Sequence, residues 1–251
     1  MSWASIAMLV PVVTVGGGVM LMRHSLRHGA PAEHNEVAGM VFQTVGALYA
    51  VLLAFVVVNE WNSLQEARTN TFTEANELGA LYWNTRALPP EAGRDLEATT
   101  KQYARVVIDE EWPGLGRGEY SPEATTLVYR MREQINALPT DTPQTQSIYE
   151  HSLSTINDLA SARRERLSQS GHNVPTVLWL GLALGAAVTV GFTFVFGLPK
   201  FWTHLLLGSS LAVLVVLVMA LIQMLDQPFG GGIAVGPEAF EIFLRGLPPQ
   251  R

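Results

Sequence analysis

Apolar residues come in two rhythms along this chain. Four runs, 3–22, 37–59, 174–196 and 204–225, are almost free of charge, while the stretch between the second and third, 61–172, is polar with apolar residues at steps of three and four. Each run approaches the ~20 residues a helix needs to cross ~30 Å of hydrocarbon. An unpaired charge at mid-bilayer costs roughly 2.5 to 3.5 kcal/mol even on lenient insertion scales, which accounts for their composition. The pattern predicts an all-α membrane protein: membrane helices one and two in 1–60, a helical soluble domain in 61–172, helices three and four in 173–226, and a C-terminal tail in 227–251.

The polar segment reads as helices. Leu64, Ala67, Thr71, Ala75, Leu78 and Tyr82 form a 3.6-residue stripe, and nothing between Phe55 and that stripe breaks a helix, so the second membrane helix should run into the soluble domain unbroken. Pro89-Pro90 ends it. A second helix is predicted over 91–112, with Leu96, Tyr103, Val106 and Val107 on its apolar face, then a loop at Pro113, Gly114, Gly116 and Gly118. Ser121 stands where a cap belongs, with Pro122 in the first turn of a helix carrying Val128, Met131, Ile135 and Leu138. After 139–143 a last helix is expected over 144–166, through Ile148, Leu153, Ile156 and Leu159. Four antiparallel helices would return the chain to the bilayer.

Charge and composition narrow the function. The net charge of −6 comes mostly from 61–172, where 11 Lys and Arg face 16 Asp and Glu, so nucleic acid is not an expected partner. The absence of cysteine excludes disulfides and thiolate chemistry. The first run lacks a basic lead and a convincing cleavage site, so it reads as a membrane helix rather than a signal peptide. Arg68, Arg163, Arg164 and Arg166 against Arg23, Arg27 and Lys200 favour a cytoplasmic soluble domain in a multi-pass protein of the inner membrane.

The end of the second run, Leu53-Ala54-Phe55-Val56-Val57-Val58-Asn59-Glu60-Trp61-Asn62, resembles the pore-lining helix of bestrophins, and Asp226-Gln227-Pro228-Phe229-Gly230 resembles the signature after their last membrane helix. The order of two helices, a helical insertion and two more helices agrees. The whole chain is similar to the bacterial bestrophin-like group, which shares a Glu-Ala like Glu74-Ala75, an Arg-x-x-Arg like Arg163 to Arg166, and a terminal Pro-Phe-Gly-Gly. That resemblance implies a homopentameric channel for permeant ions in the lipid bilayer, chloride narrowly favoured, with five copies of the second helix around the axis. Thr44, Leu48 and Leu52 would form the hydrophobic neck, and Gln43 and Glu60 the pore mouth. Packing against neighbouring helices is an equal account of the neck residues. Asp226, Pro228, Phe229 and Gly230 are the signature positions after the last helix. Glu60 stands where bestrophins carry Arg, and Gly230, Gly231, Gly232 and Ile233 replace the carboxylates that hold calcium in animal members, so calcium gating is not expected.

Other chemistry is thin. His24, His28 and His34 have a spacing a metal accepts, but titration near pH 6.5 without a ligand is the plainer account, and neither a metal nor a cofactor is expected. Asp109-Glu110-Glu111 reads as a solvated helix end, and Gly16-Gly17-Gly18 as a close helix contact. No nucleophile elbow or dinucleotide fingerprint appears, which disfavours an enzyme. Two alternatives remain. Glu60, Glu66, Glu74 and Glu77, offset by Arg68 and Arg86, would make a cation channel if they faced the axis, and a helical domain joined to membrane helices also suits a non-conducting sensor or scaffold.

Overall fold

The computed structural model describes residues 3–25, 35–171, 174–194 and 201–248, and among them every regular element is helical. The chain divides into two compact units, residues 1–61 with 173–226, and residues 62–172 with 227–251.

The first unit holds α1 (Trp3–Ser25), the start of α2 (Asn35–Asn84), α7 (Thr176–Phe192) and α8 (Phe201–Leu225). Among the described residues, two stretches are long and apolar enough to cross a membrane, Gly39–Ala87 and Phe201–Leu225. Where the sequence predicts two more crossings, the structure has the shorter apolar stretches Ala4–Met20 and Thr176–Phe192. For α7 a physical reason is visible: Pro175 occupies the N-cap, so the helix begins later than the apolar run. Tyr49, Leu53 and Val56 of α2 enter a core with Ala4, Ala7, Trp179, Leu182, Met219 and Ile222. Helices approach closely where side chains vanish. A Cβ on Gly185 would fall 2.4 Å from the Tyr49 ring, and one on Gly18 2.4 Å from the Phe194 ring, while Gly16 and Gly17 meet nothing within 4 Å. The predicted glycine contact therefore rests on one of the three glycines.

In the second unit α2 runs on to Asn84 and ends in a 3-10 turn, Thr85–Ala87, ahead of the two prolines. The predicted stripe is the packing face, since Leu64, Ala67, Thr71, Ala75, Leu78 and Tyr82 are all buried. The next helix differs from expectation. α3 (Pro90–Val106) passes through a π-helical turn, Val107–Glu111, into α4 (Trp112–Leu115). Pro113 sits in α4, which runs to Leu115, so the loop starts only at Gly116. The turn then needs a left-handed residue, and Gly118 supplies it at φ 73°. Ser121 caps α5 (Pro122–Asn136) by accepting from the Ala124 N–H at 3.3 Å, and Thr142 caps α6 (Pro143–Ser170) in a capping box with Thr145.

Residues 227–251, expected as a tail, carry α9 (Glu238–Arg245), whose Ala239 and Phe240 are buried in the core of the second unit with Tyr103, Leu127, Met131 and Leu159.

Candidate functional site

α2 is two-sided in the apolar unit. Tyr49, Leu53, Val56 and Glu60 are buried at steps of four, three and four, whereas Gln43, Thr44, Leu48, Leu52 and Phe55 are exposed. Leu48, expected at the neck, is 68% exposed and Phe55 on the same side 73%, so among the described residues this apolar side is left largely uncovered. Leu52, at 37%, stands at the edge of that face. Glu60 does not join it. At about 100° per residue it lies roughly 120° around the helix from Leu48, and it is buried, accepting from the Asn59 amide at 3.3 Å.

In the soluble unit the same helix exposes Asn62, Glu66, Thr69 and Thr73. Glu77 is half-buried, and its carboxyl is pushed up first by burial, then by the Asp158 carboxylate, with His151 pulling the other way. Of the cations set against these glutamates in sequence, Arg68 is exposed about 200° around the helix from Glu66, and Arg86 is exposed in the 3-10 turn beyond the end of α2. Glu74 is different again, because it is fully buried.

Glu74 belongs to a lattice of charges that sequence reasoning did not assemble. The Arg166 Nε donates to Glu74 at 2.6 Å, and its Nη2 donates to Glu74 at 2.9 Å and to Glu111 at 2.7 Å. Arg163 grips the same Glu111 with both terminal nitrogens, each at 2.7 Å. The Tyr103 hydroxyl donates to Glu74 and accepts from Arg163, and the Ser121 N–H donates to Glu111 at 3.0 Å. Two carboxylates and two guanidiniums thus cancel in charge inside a buried core, the arrangement in which mutual attraction offsets desolvation. Burial alone would push the Glu111 carboxyl up, but Arg166 and Arg163 outweigh it and hold it below the usual carboxylate range. Burial, helped by the Glu74 charge, drives the Tyr103 phenol well above its ordinary value.

The Asp109-Glu110-Glu111 run is therefore corrected in part. Asp109 and Glu110 are exposed as a solvated helix end should be, whereas Glu111, the last residue of the π turn, is buried against the arginines. Arg163 and Arg166, counted as membrane-proximal cations, are buried ion-pair partners in the folded chain.

The signature after α8 divides between the units. Asp226 accepts from the Val174 N–H, tying the end of α8 to the start of α7. Pro228, Phe229 and Gly230 belong to the soluble unit. The Pro228 carbonyl accepts from the Val235 N–H at 2.8 Å, and Phe229 stacks edge-on against Trp112 at 5.7 Å. Trp112 in turn donates to the Val235 carbonyl at 3.3 Å and lies 5.2 Å from the Arg166 guanidinium, with Phe240 at 5.8 Å. Gly230 must be glycine for a steric reason: its Cβ would stand 2.8 Å from the Gly116 Cα, and one on Gly116 would stand 2.7 Å from the Gly230 Cα. The signature thus closes the aromatic lid of the charge lattice. His28 and His34 lie outside the described residues, as does the His24 side chain.

Known structures share this fold. A mutant of a bacterial bestrophin homologue from Klebsiella pneumoniae superposes with a TM-score of 0.71 at 15% identity, covering 97% of this chain and 98% of its own. A structure described as a membrane protein gives 0.70 at 15% identity, over 98% of this chain and 97% of its own. At such identity these likenesses speak for the fold. No curated protein matches the chain by sequence. The Bestrophin-like domain, however, matches residues 9–240. With nearly the whole chain matched and the apolar helices it requires in place, this is a membrane protein belonging to the Bestrophin-like family.

Proposed function

We propose that the chain is one subunit of a homopentameric ion channel, with the exposed side of α2 lining the conducting path and Thr44, Leu48 and Leu52 forming its neck. Four apolar helices, α1, the first part of α2, α7 and α8, then surround the path in the inner membrane, and the soluble unit is cytoplasmic. The observation that carries this reading is the free side of α2. It is apolar at Leu48 and Phe55, polar at Asn62, Thr69 and Thr73, and its exposed charge is the Glu66 carboxylate. A pentamer repeats that carboxylate five times, and carboxylate rings favour cations. Arg68 lies on another side of α2 and Arg86 past its end, so the balance tips from the anions expected by resemblance toward small monovalent cations. One observation favours the anion reading instead: an apolar neck at Leu48 and Leu52 is crossed most cheaply by large anions that shed water easily, and Glu60 is turned away from it.

Reconstitution in liposomes under a KCl gradient separates the two. The expected reversal potential lies near the potassium value and moves toward zero in Glu66→Gln. A potential near the chloride value makes this an anion channel with the same neck. A monodisperse pentamer that passes no ions would leave a non-conducting sensor or scaffold.

A further inference from the structure

The stripe that α2 buries in the soluble unit is poor at fixing its own register. Ala67, Ala75, Leu78 and Leu81 are apolar, and the Thr71 hydroxyl bonds back to its own helix at the Ala67 carbonyl. Such a face tolerates a slide or rotation with modest repacking. Among the fully buried side chains of α2 in this unit, Glu74 is the one that makes directional bonds to other helices. Two lesser links flank it, Asn70 to Gln169 at 3.2 Å and Tyr82 to Glu97 at 3.4 Å. Through Glu74, α2 is bonded at one point to Arg166 of α6 and Tyr103 of α3, and through Arg166 to Glu111 of the π turn.

We propose that this buried lattice is the ruler that sets the azimuth of α2 in the soluble unit, so that Glu74 and Arg166 are positioning residues deciding which polar side chains the helix offers to permeating ions. The inference rests on the conducting role proposed above for the free side of α2. Its physical basis is geometric. A carboxylate held by a planar guanidinium fork and a phenol accepts those bonds in one orientation only, whereas Ala and Leu carry no directional bond and can repack against a turned neighbour. Glu66 stands eight residues before Glu74, and Thr73 one before it. Rotating α2 enough to break the fork would therefore carry the Glu66 carboxylate off the free side. Buried polar groups that specify register rather than stability are best known from coiled coils.

The native chain has no cysteine, so single cysteines report cleanly on azimuth. In full-length protein in detergent, cysteines at Asn62, Glu66, Thr69 and Thr73 should react quickly with a water-soluble maleimide, and cysteines at Leu64 and Ala67 slowly. In the fourfold variant Glu74→Leu, Glu111→Leu, Arg163→Leu, Arg166→Met, no buried charge is stranded, so the helical fold should persist while the ratio of fast to slow rates falls toward unity. Tyr103→Phe removes only the hydroxyl shared by Glu74 and Arg163 and should reduce the ratio partway. It serves as the deciding variant if the fourfold one does not fold. An unchanged pattern in a folded variant overturns the proposal, because apolar packing alone would then set the azimuth. Ion flux on the same samples separates the two readings. A parent chain that does not conduct sinks the channel, while the reactivity pattern still decides the ruler.

Discussion

The two units bury polarity by different means. In the second unit Glu74, Glu111, Arg163 and Arg166 lie at 0–4% exposure and bond to one another through five close donor–acceptor contacts. In the apolar unit, which also buries the Glu60 carboxylate, a neutral bond joins α2 to α7, the Tyr49 hydroxyl donating to the Leu182 carbonyl at 3.0 Å. A helical carbonyl keeps a lone pair beyond its own backbone bond, so a hydroxyl can tie two apolar helices without importing charge. The charged solution gains direction and depends on completeness, since each member removed strands its partners in a low-dielectric core. The neutral solution gains little and loses little. α2 passes through both regimes, exposing Leu48 and Phe55 in one unit and Asn62, Glu66 and Thr73 in the other.

The contrast breaks most readily at Arg166. Arg166→Met leaves Glu74 and Glu111 buried without their shared cation and should cost about 3–5 kcal/mol, read as a lowered thermal unfolding midpoint of the purified chain. A near-native midpoint would mean that the lattice is as expendable as the neutral bond in the apolar unit.

Acid should act first on the unit that holds Glu111. The Glu111 carboxyl is held below its ordinary range when folded, so its contribution to stability is fully present above the unfolded carboxylate value and is lost as pH falls through the folded one. Thermal unfolding of the soluble unit should therefore weaken below about pH 4, where unfolded carboxylates take up protons, while helicity of the apolar unit persists. Simultaneous loss of both units would show that the difference in burial has no consequence for stability.

The smallest effect is expected at Tyr49. Tyr49→Phe removes the bond to Leu182 and keeps the ring that fills the space beside Gly185, so the cost should be about 0.5–1.5 kcal/mol in thermal unfolding. A loss rivalling that of Arg166→Met would erase the distinction between the two means of burial.

Much of this was legible along the chain. The stripe from Leu64 to Tyr82 announced both the continuity of α2 and its packing face, and Ser121-Pro122 announced the start of α5. The charge lattice was hidden by a habit of reading charge as surface. Its trace was present, because Ile156, Leu159, Ala160, Arg163 and Arg166 continue one stripe at steps of three and four, and Thr71, Glu74 and Leu78 do likewise. A helical face that carries on through charged residues is a sign that those charges are buried together. Glu111 left no such trace, since it is buried as the last residue of the π-helical turn before Trp112, which residue spacing alone does not announce.

The sequence by itself determined that the chain is helical, where its apolar helices lie and which face of α2 in the soluble unit is buried, because each of these follows from local periodicity and composition. Tertiary structure alone decided that Glu60 turns inward, that Glu74 meets Arg166 across 92 positions, and that Gly230 must press against Gly116 to let Phe229 reach Trp112. Those facts are long-range. The energy of a buried ion pair or of two backbones in contact depends on groups that are distant in sequence, and it exists only once the helices that carry them have packed.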